Sequence, residues 1–233
     1  MAGVEYLKTR REIDPQKIGL HGHSQGGWVV PEAASRSKDV AFIIAGAASG
    51  WDTFKNGEYE VMNNAADANL SHAEIEQTVA LYKLGNKAIL ANGEGWNDWR
   101  SAIIKAKDEK WFQFARSPST VGEMNEANRE RLMRFINREK RSFYNPVPTW
   151  EKIKIPVFVY QGEWDRDVPA KESVKIIETS LKKAGNKNYT IKLFPKAQHG
   201  LWAVEKDNRF EPLAYRVHYD ALFKWLLNKT KEK

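Results

Sequence analysis

The sequence predicts an α/β fold with a mostly parallel sheet and a helical insertion, and three observations lead to that reading. Short apolar runs alternate with amphipathic segments near both ends of the 233 residues, and such alternation builds parallel strands covered by helices. The runs end in glycine-rich or charged loops, as buried strands do. From about residue 51 to 149 the periodicity is helical, without a convincing strand. The expected organisation is a discontinuous core of residues 1–50 and 150–233, with 51–149 inserted as a cap.

In chain order, Val4 and Leu7 oppose Lys8, Arg10 and Arg11 in an amphipathic helix end that Asp14-Pro15 stops. Residues 17–21 read as a strand running into Gly22-His23-Ser24-Gln25-Gly26-Gly27. Residues 28–35 read as a helix that Pro31 should kink, and 40–44 as a buried parallel strand. In the insertion, Ser71-His72-Ala73-Glu74 has capping-box spacing, and Ile75, Val79 and Tyr82 follow on one helical face. Further helices are expected at 97–108 and 121–138, the second burying Leu132, Phe135 and Ile136. After Pro146-Val147-Pro148 come strand 156–160, helix 170–184 with Val174, Ile177 and Leu181 aligned, strand 189–194 and helix 211–227.

Composition excludes several function classes. The formal charge of +7 is interleaved with acidic residues along the chain, which forms no phosphate-tracking stripe, so nucleic acid is not an expected partner. No apolar run approaches the ~20 residues of a bilayer span, and the N-terminus lacks the basic-then-apolar pattern of a signal peptide. The chain reads as soluble, with the cytoplasm favoured and the compartment otherwise open. Having no cysteine, it lacks disulfides, thiolate chemistry and cysteine-ligated zinc. No histidine pair has H-E-x-x-H spacing, so neither a metal nor another cofactor is expected.

Gly22-His23-Ser24-Gln25-Gly26 fits G-x-S-x-G with a strand before it and a helix after it. Such a turn lifts a serine hydroxyl above a sheet, and glycines two residues to either side leave room for it. The following helix aims backbone N–H groups at developing negative charge, which makes Gln25 N–H a natural oxyanion donor. A serine needs a base, and the base needs an oriented acid. The loop after strand 156–160 offers Asp165 as that acid, with Glu163 and Asp167 as alternatives; the loop after strand 189–194 offers His199 as base. His21, His72 and His218 read as structural, and His23 as packing or lining within the turn.

Residues 17–27, Gly162-Glu163-Trp164-Asp165-Arg166-Asp167-Val168-Pro169 and Gln198-His199-Gly200 together resemble the α/β-hydrolase superfamily, especially its bacterial esterase and prolyl-oligopeptidase-like branch. The resemblance covers 1–50 and about 150–233, and it implies a partial α/β-hydrolase fold with a helical cap. It also implies that Ser24 forms an acyl-enzyme, His199 shuttles the proton and Asp165 orients His199. His23 and the cap residues Trp96, Trp99 and Trp111 are expected substrate contacts, with simple packing as the competing role of the tryptophans. Ester hydrolysis on a small or medium carboxylic ester is the leading expectation. Peptide or amide hydrolysis, thioester hydrolysis and an inactive binding module are the alternatives, and the substrate is a small-molecule ester or a short peptide. The resemblance departs at the front, because family members have several strands before the nucleophile strand, including the loop that supplies a second oxyanion N–H. The expectation is a piece of a longer product, or a sheet completed by a second chain or by self-association.

Overall fold

The computed structural model describes residues 1–201, 203–204 and 210–231. The chain opens with α1 (Ala2–Lys8), β1 (Gly19–His23), α2 (Gly26–Ser35) and β2 (Phe42–Gly46). Five helices follow: α3 (Thr53–Asp67), α4 (His72–Leu90), α5 (Trp96–Ala106), α6 (Ser119–Gly122) and α7 (Arg129–Ser142). The sheet resumes with α8 (Val147–Trp150), β3 (Val157–Gly162), α9 (Ala170–Lys183) and β4 (Tyr189–Phe194), and the chain ends with β5 (Ala203–Val204), β6 (Phe210–Glu211) and α10 (Pro212–Lys231). Two compact units result, Met1–Trp51 with Asn145–Lys233, and Asp52–Tyr144.

In the first unit four parallel strands lie in the order β1-β2-β3-β4. Alternate residues of a strand face opposite sides, and the central strands use both. Ile43, Ala45, Val157 and Val159 pack with Val30 and Ala34 of α2 and with Ile177 and Leu181 of α9. Ile44, Phe158 and Tyr160 meet Leu222 and Trp225 of α10 on the other side. Burial on both faces explains why β3 is a continuous apolar run rather than an alternating one. Burying each large side chain contributes about 1.5–3 kcal/mol, so these two clusters hold the sheet that carries the candidate site.

β1 starts two residues later than the sequence predicts. Asp14 Oδ1 accepts the Gln16 N–H at 2.9 Å and caps a single 3₁₀ turn over Pro15–Lys17, which takes up the start of the expected strand. The gain is at the other end, where Gly22 and His23 pair in register with Ala45 and Gly46. α2 runs through Pro31, which is buried inside it.

The helical unit has its own core, centred on Leu81, Trp99, Ile103, Leu132 and Ile136. α4 begins where the capping box requires: Ser71 Oγ accepts the Glu74 N–H, and Glu74 Oε2 accepts the Ser71 N–H at 2.8 Å. Its buried face is Thr78, Leu81, Gly85, Ala88 and Ile89, while Ile75, Val79 and Tyr82 are only half-buried. Gly85 sets that rotation, since a Cβ there would lie 2.8 Å from Trp99 Cε2. The helix expected over 121–138 is broken. Asn125 Oδ1 accepts the Ala127 N–H at 2.9 Å and Asn128 Oδ1 accepts the Asn125 N–H, so side chains replace the helical ladder until α7 starts at Arg129. The two ends of the unit meet: Thr53 N–H donates to Tyr144 O at 3.0 Å, Tyr144 N–H donates to Thr53 Oγ1 at 3.1 Å, and Phe54 packs edge-on against Phe143.

Candidate active site

Ser24 occupies the turn between β1 and α2 with φ of 58°. This left-handed conformation is uncommon for a residue with a Cβ. Two backbone bonds hold it: Ser24 N–H donates to Gly46 O at 2.9 Å, extending the β1–β2 ladder, and Ser24 O accepts the Gly27 N–H at 2.8 Å. The room for the turn is not where the motif alone suggests. A Cβ on Gly22 would lie 2.2 Å from Gly26 O, and one on Gly27 would lie 2.5 Å from the Ala48 Cβ, whereas one on Gly26 meets nothing within 4 Å. The tight glycines are therefore 22 and 27. Gln25 is the N-cap of α2, so its N–H belongs to the helix-start donors that the helix itself leaves unsatisfied.

Asp165 follows β3 and His199 follows β4, both at the C-terminal edge of the sheet, the edge that also presents Ser24. His199 Nδ1 lies 2.9 Å from Asp165 Oδ2, and the Asp165 side chain is fully buried. Asp165 Oδ1 accepts the backbone N–H groups of Asp167 and Val168, each at 2.8 Å. Geometry separates the three carboxylates of this loop. Asp167 Oδ2 is 3.8 Å from the same imidazole nitrogen and half exposed, while Glu163 pairs with Lys171 at 3.0 Å. The His23 and His199 rings are 5.2 Å apart, which brings the His199 imidazole beside the residue preceding Ser24.

Tyr160 is the member of this cluster that sequence reasoning misses. His23, Gly46 and Tyr160 stand in one row across β1, β2 and β3. Because Gly46 has no side chain, the Tyr160 ring lies over it; a Cβ there would be 2.0 Å from Tyr160 Cζ. The hydroxyl then reaches His21 Nε2 at 2.9 Å and His23 Nδ1 at 3.5 Å. Burial lowers the pKa of His21 below the ordinary histidine value, and His23 is lowered first by burial and then by the nearby His199. A row rule, tyrosine opposite glycine opposite histidine, is the signal that could have found it once the strand order was known.

The remaining candidates take structural positions. His218 is buried in α10 with its ring 5.3 Å from that of Tyr160, and His72 is the exposed first residue of α4. Trp99 and Trp111 are core residues of the helical unit, with Trp96 partly buried against them. Among the described residues, one group has donor atoms close enough to chelate a cation, Asp165, Asp167 and His199 within 4.8 Å of one another. A cation there would compete for the His199 nitrogen that faces Asp165. No helix among the described residues is long and apolar enough to cross a membrane.

The family described as BAAT / acyl-CoA thioester hydrolase C terminal matches residues 2–202. No curated protein matches the chain. Similar solved structures include an acylaminoacyl peptidase of Pyrococcus horikoshii, at 18% identity and a TM-score of 0.41, over 84% of this chain and 22% of that one. A puromycin-hydrolyzing peptidase of Mycobacterium tuberculosis matches at 15% identity and a TM-score of 0.44, over 85% of this chain and 21% of that one. An esterase of Pyrococcus furiosus matches at 19% identity and a TM-score of 0.43, over 85% and 52%. The chain thus spans about a fifth of the length of the first two and about half of the third.

Proposed function

Because the chain belongs to the BAAT / acyl-CoA thioester hydrolase C-terminal family, we propose that it carries the nucleophile, acid and base of a serine hydrolase that cleaves carboxylic esters through an acyl-serine. One observation carries this reading: the 2.9 Å pair of His199 and buried Asp165 stands at the sheet edge that also presents Ser24 on a positive-φ turn. In the proposed reaction His199 Nε2 takes the Ser24 hydroxyl proton as Oγ attacks the carbonyl carbon. The oxyanion is met by the Gln25 N–H at the start of α2. His199 returns the proton to the leaving alcohol as the C–O bond breaks, and a water activated by the same imidazole then releases the acid and frees Ser24. Asp165 keeps Nδ1 protonated and Nε2 available. Two backbone donors fix Asp165 in place, which supports a positioning role over that of a solvated loop charge.

The family description favours a second reading, thioester hydrolysis. The acyl-serine chemistry is the same, but the leaving thiolate is a weaker base than an alkoxide and demands less of His199 as acid. A fluorophosphonate probe tests the common step. Covalent mass on the chain, absent in Ser24→Ala, is the expected result; labelling that survives Ser24→Ala overturns the assignment. Nitrophenyl esters, acyl thioesters and aminoacyl anilides compared on the same protein rank the substrate classes, and an anilide preference would put amide hydrolysis ahead of both esters and thioesters.

A further inference from the structure

Charge in the helical unit is segregated. Between Asp52 and Tyr144 fourteen basic side chains balance fourteen acidic ones, yet α7 alone holds six of the basic against two of the acidic. Arg131, Arg134, Arg138 and Arg141 follow one another at spacings of three, four and three, which keeps them on one face of a helix with 3.6 residues per turn. That face lines a groove of about 760 Å³, to which Thr120 and Asn137 add neutral hydrogen-bonding groups. Interleaved charge along the sequence conceals this stripe, because the neutralising acidic residues lie on other elements.

Like charges three or four residues apart repel, and little within the unit relieves these four. Glu130 lies 3.5 Å from Arg134 Nη1 and is almost fully exposed; Glu139 lies 2.9 Å from Arg138 Nε. Among the described residues neither Arg131 nor Arg141 has a carboxylate within ion-pair distance. Apolar side chains line the groove too: Phe135 is half-buried, and the Arg138 guanidinium stands 5.3 Å from its ring centroid. Several guanidinium forks lining one groove match an oxyanion with several acceptor oxygens better than they match a single carboxylate. The rest of the unit carries twelve acidic side chains against eight basic ones, which would repel an extended polyanion and limits the ligand to a small one.

We propose that this groove binds a phosphorylated small molecule, with Arg131, Arg134 and Arg138 taking its phosphate oxygens. The site belongs to the helical unit and does not depend on the hydrolase reading. Calorimetric titration of the whole chain with inorganic pyrophosphate and with ADP, in phosphate-free buffer of low salt, tests it. Expected is saturable binding that weakens steeply with added salt, and a loss of about tenfold or more in Arg134→Gln/Arg138→Gln, whose side chains are exposed and whose folding circular dichroism checks. Lys55→Gln/Lys83→Gln should leave binding unchanged, and so should Ser24→Ala. Tighter binding of ADP than of pyrophosphate assigns part of the affinity to the nucleoside over Phe135, and equal binding assigns it to the phosphates alone. No binding of either up to about 10 mM, or a folded arginine variant that binds as the parent does, overturns the proposal.

Discussion

Replacing Asp165 by Asn keeps the shape of the residue and removes the property on which the proposed mechanism depends. The amide oxygen can still accept the Asp167 and Val168 N–H groups now held at 2.8 Å. Holding them turns the NH₂ group toward His199 Nδ1, where the carboxylate oxygen stands at 2.9 Å. Two donors would then face each other unless the imidazole shifts its proton to Nε2, and an Nε2–H cannot take the Ser24 proton. The loss in kcat/KM for a nitrophenyl ester should be about 10⁴-fold, or roughly 5–6 kcal/mol of barrier. Stability should fall much less, by about 1–3 kcal/mol, since the two backbone bonds persist and lose only their charge assistance. Asp167→Asn is the internal comparison. Its carboxylate is 3.8 Å from His199 and half exposed, so it should stay within about threefold of the parent. Steady-state kinetics and thermal melts on both variants decide the matter. A folded Asp165→Asn protein within tenfold of the parent, or a larger loss in Asp167→Asn, would refute the assignment of the acid.

Two further outcomes follow from the turn and the histidine row. Gly22→Ala places a methyl 2.2 Å from the Gly26 carbonyl oxygen and 2.4 Å from its carbon, backbone atoms that cannot rotate away. It should abolish fluorophosphonate labelling, whereas Gly26→Ala, with open space around its Cβ, should retain most of it; equal labelling of the two contradicts the steric account. Burial lowers His21 and His23 from the ordinary value of 6.5. Above that value they are neutral in both folded and unfolded chains and stability is complete. As pH falls below it the unfolded chain binds protons that the native state refuses, so stability declines until the lowered native values are reached. The urea midpoint should therefore drop as pH falls through and below 6.5, and His21→Asn/His23→Asn should shrink that drop. An undiminished drop assigns it to other groups.

The parallel core is legible in the sequence because its signals are local. β4 lies where the apolar run places it, and α9 ends within one residue of its expected limit, because in both a hydrophobic run of one period stops at a turn. Ser24, Asp165 and His199 are legible for a related reason: each sits on a loop directly after a recognisable strand. What sequence reading misses depends on neighbours distant in the chain. Tyr160 reads as the last apolar residue of β3 until the strand order sets it beside Gly46 and His23. The break before α7 turns on which partner the side chains of Asn125 and Asn128 choose, helix or local turn, and periodicity does not encode that choice. The rotation of α4 is set by Trp99 lying against Gly85, a contact between two different helices.

The bonds between Thr53 and Tyr144 give the helical unit a common doorway for its entry and exit. A segment whose two ends already touch can be lengthened, exchanged or excised without stretching the backbone that flanks it, since closing the gap afterwards costs only the entropy of a short loop. Strand pairing among residues 19–46 and 157–194 need not register such a swap. The helical unit can then change in size or sequence while the strand register of the first unit stays as it is.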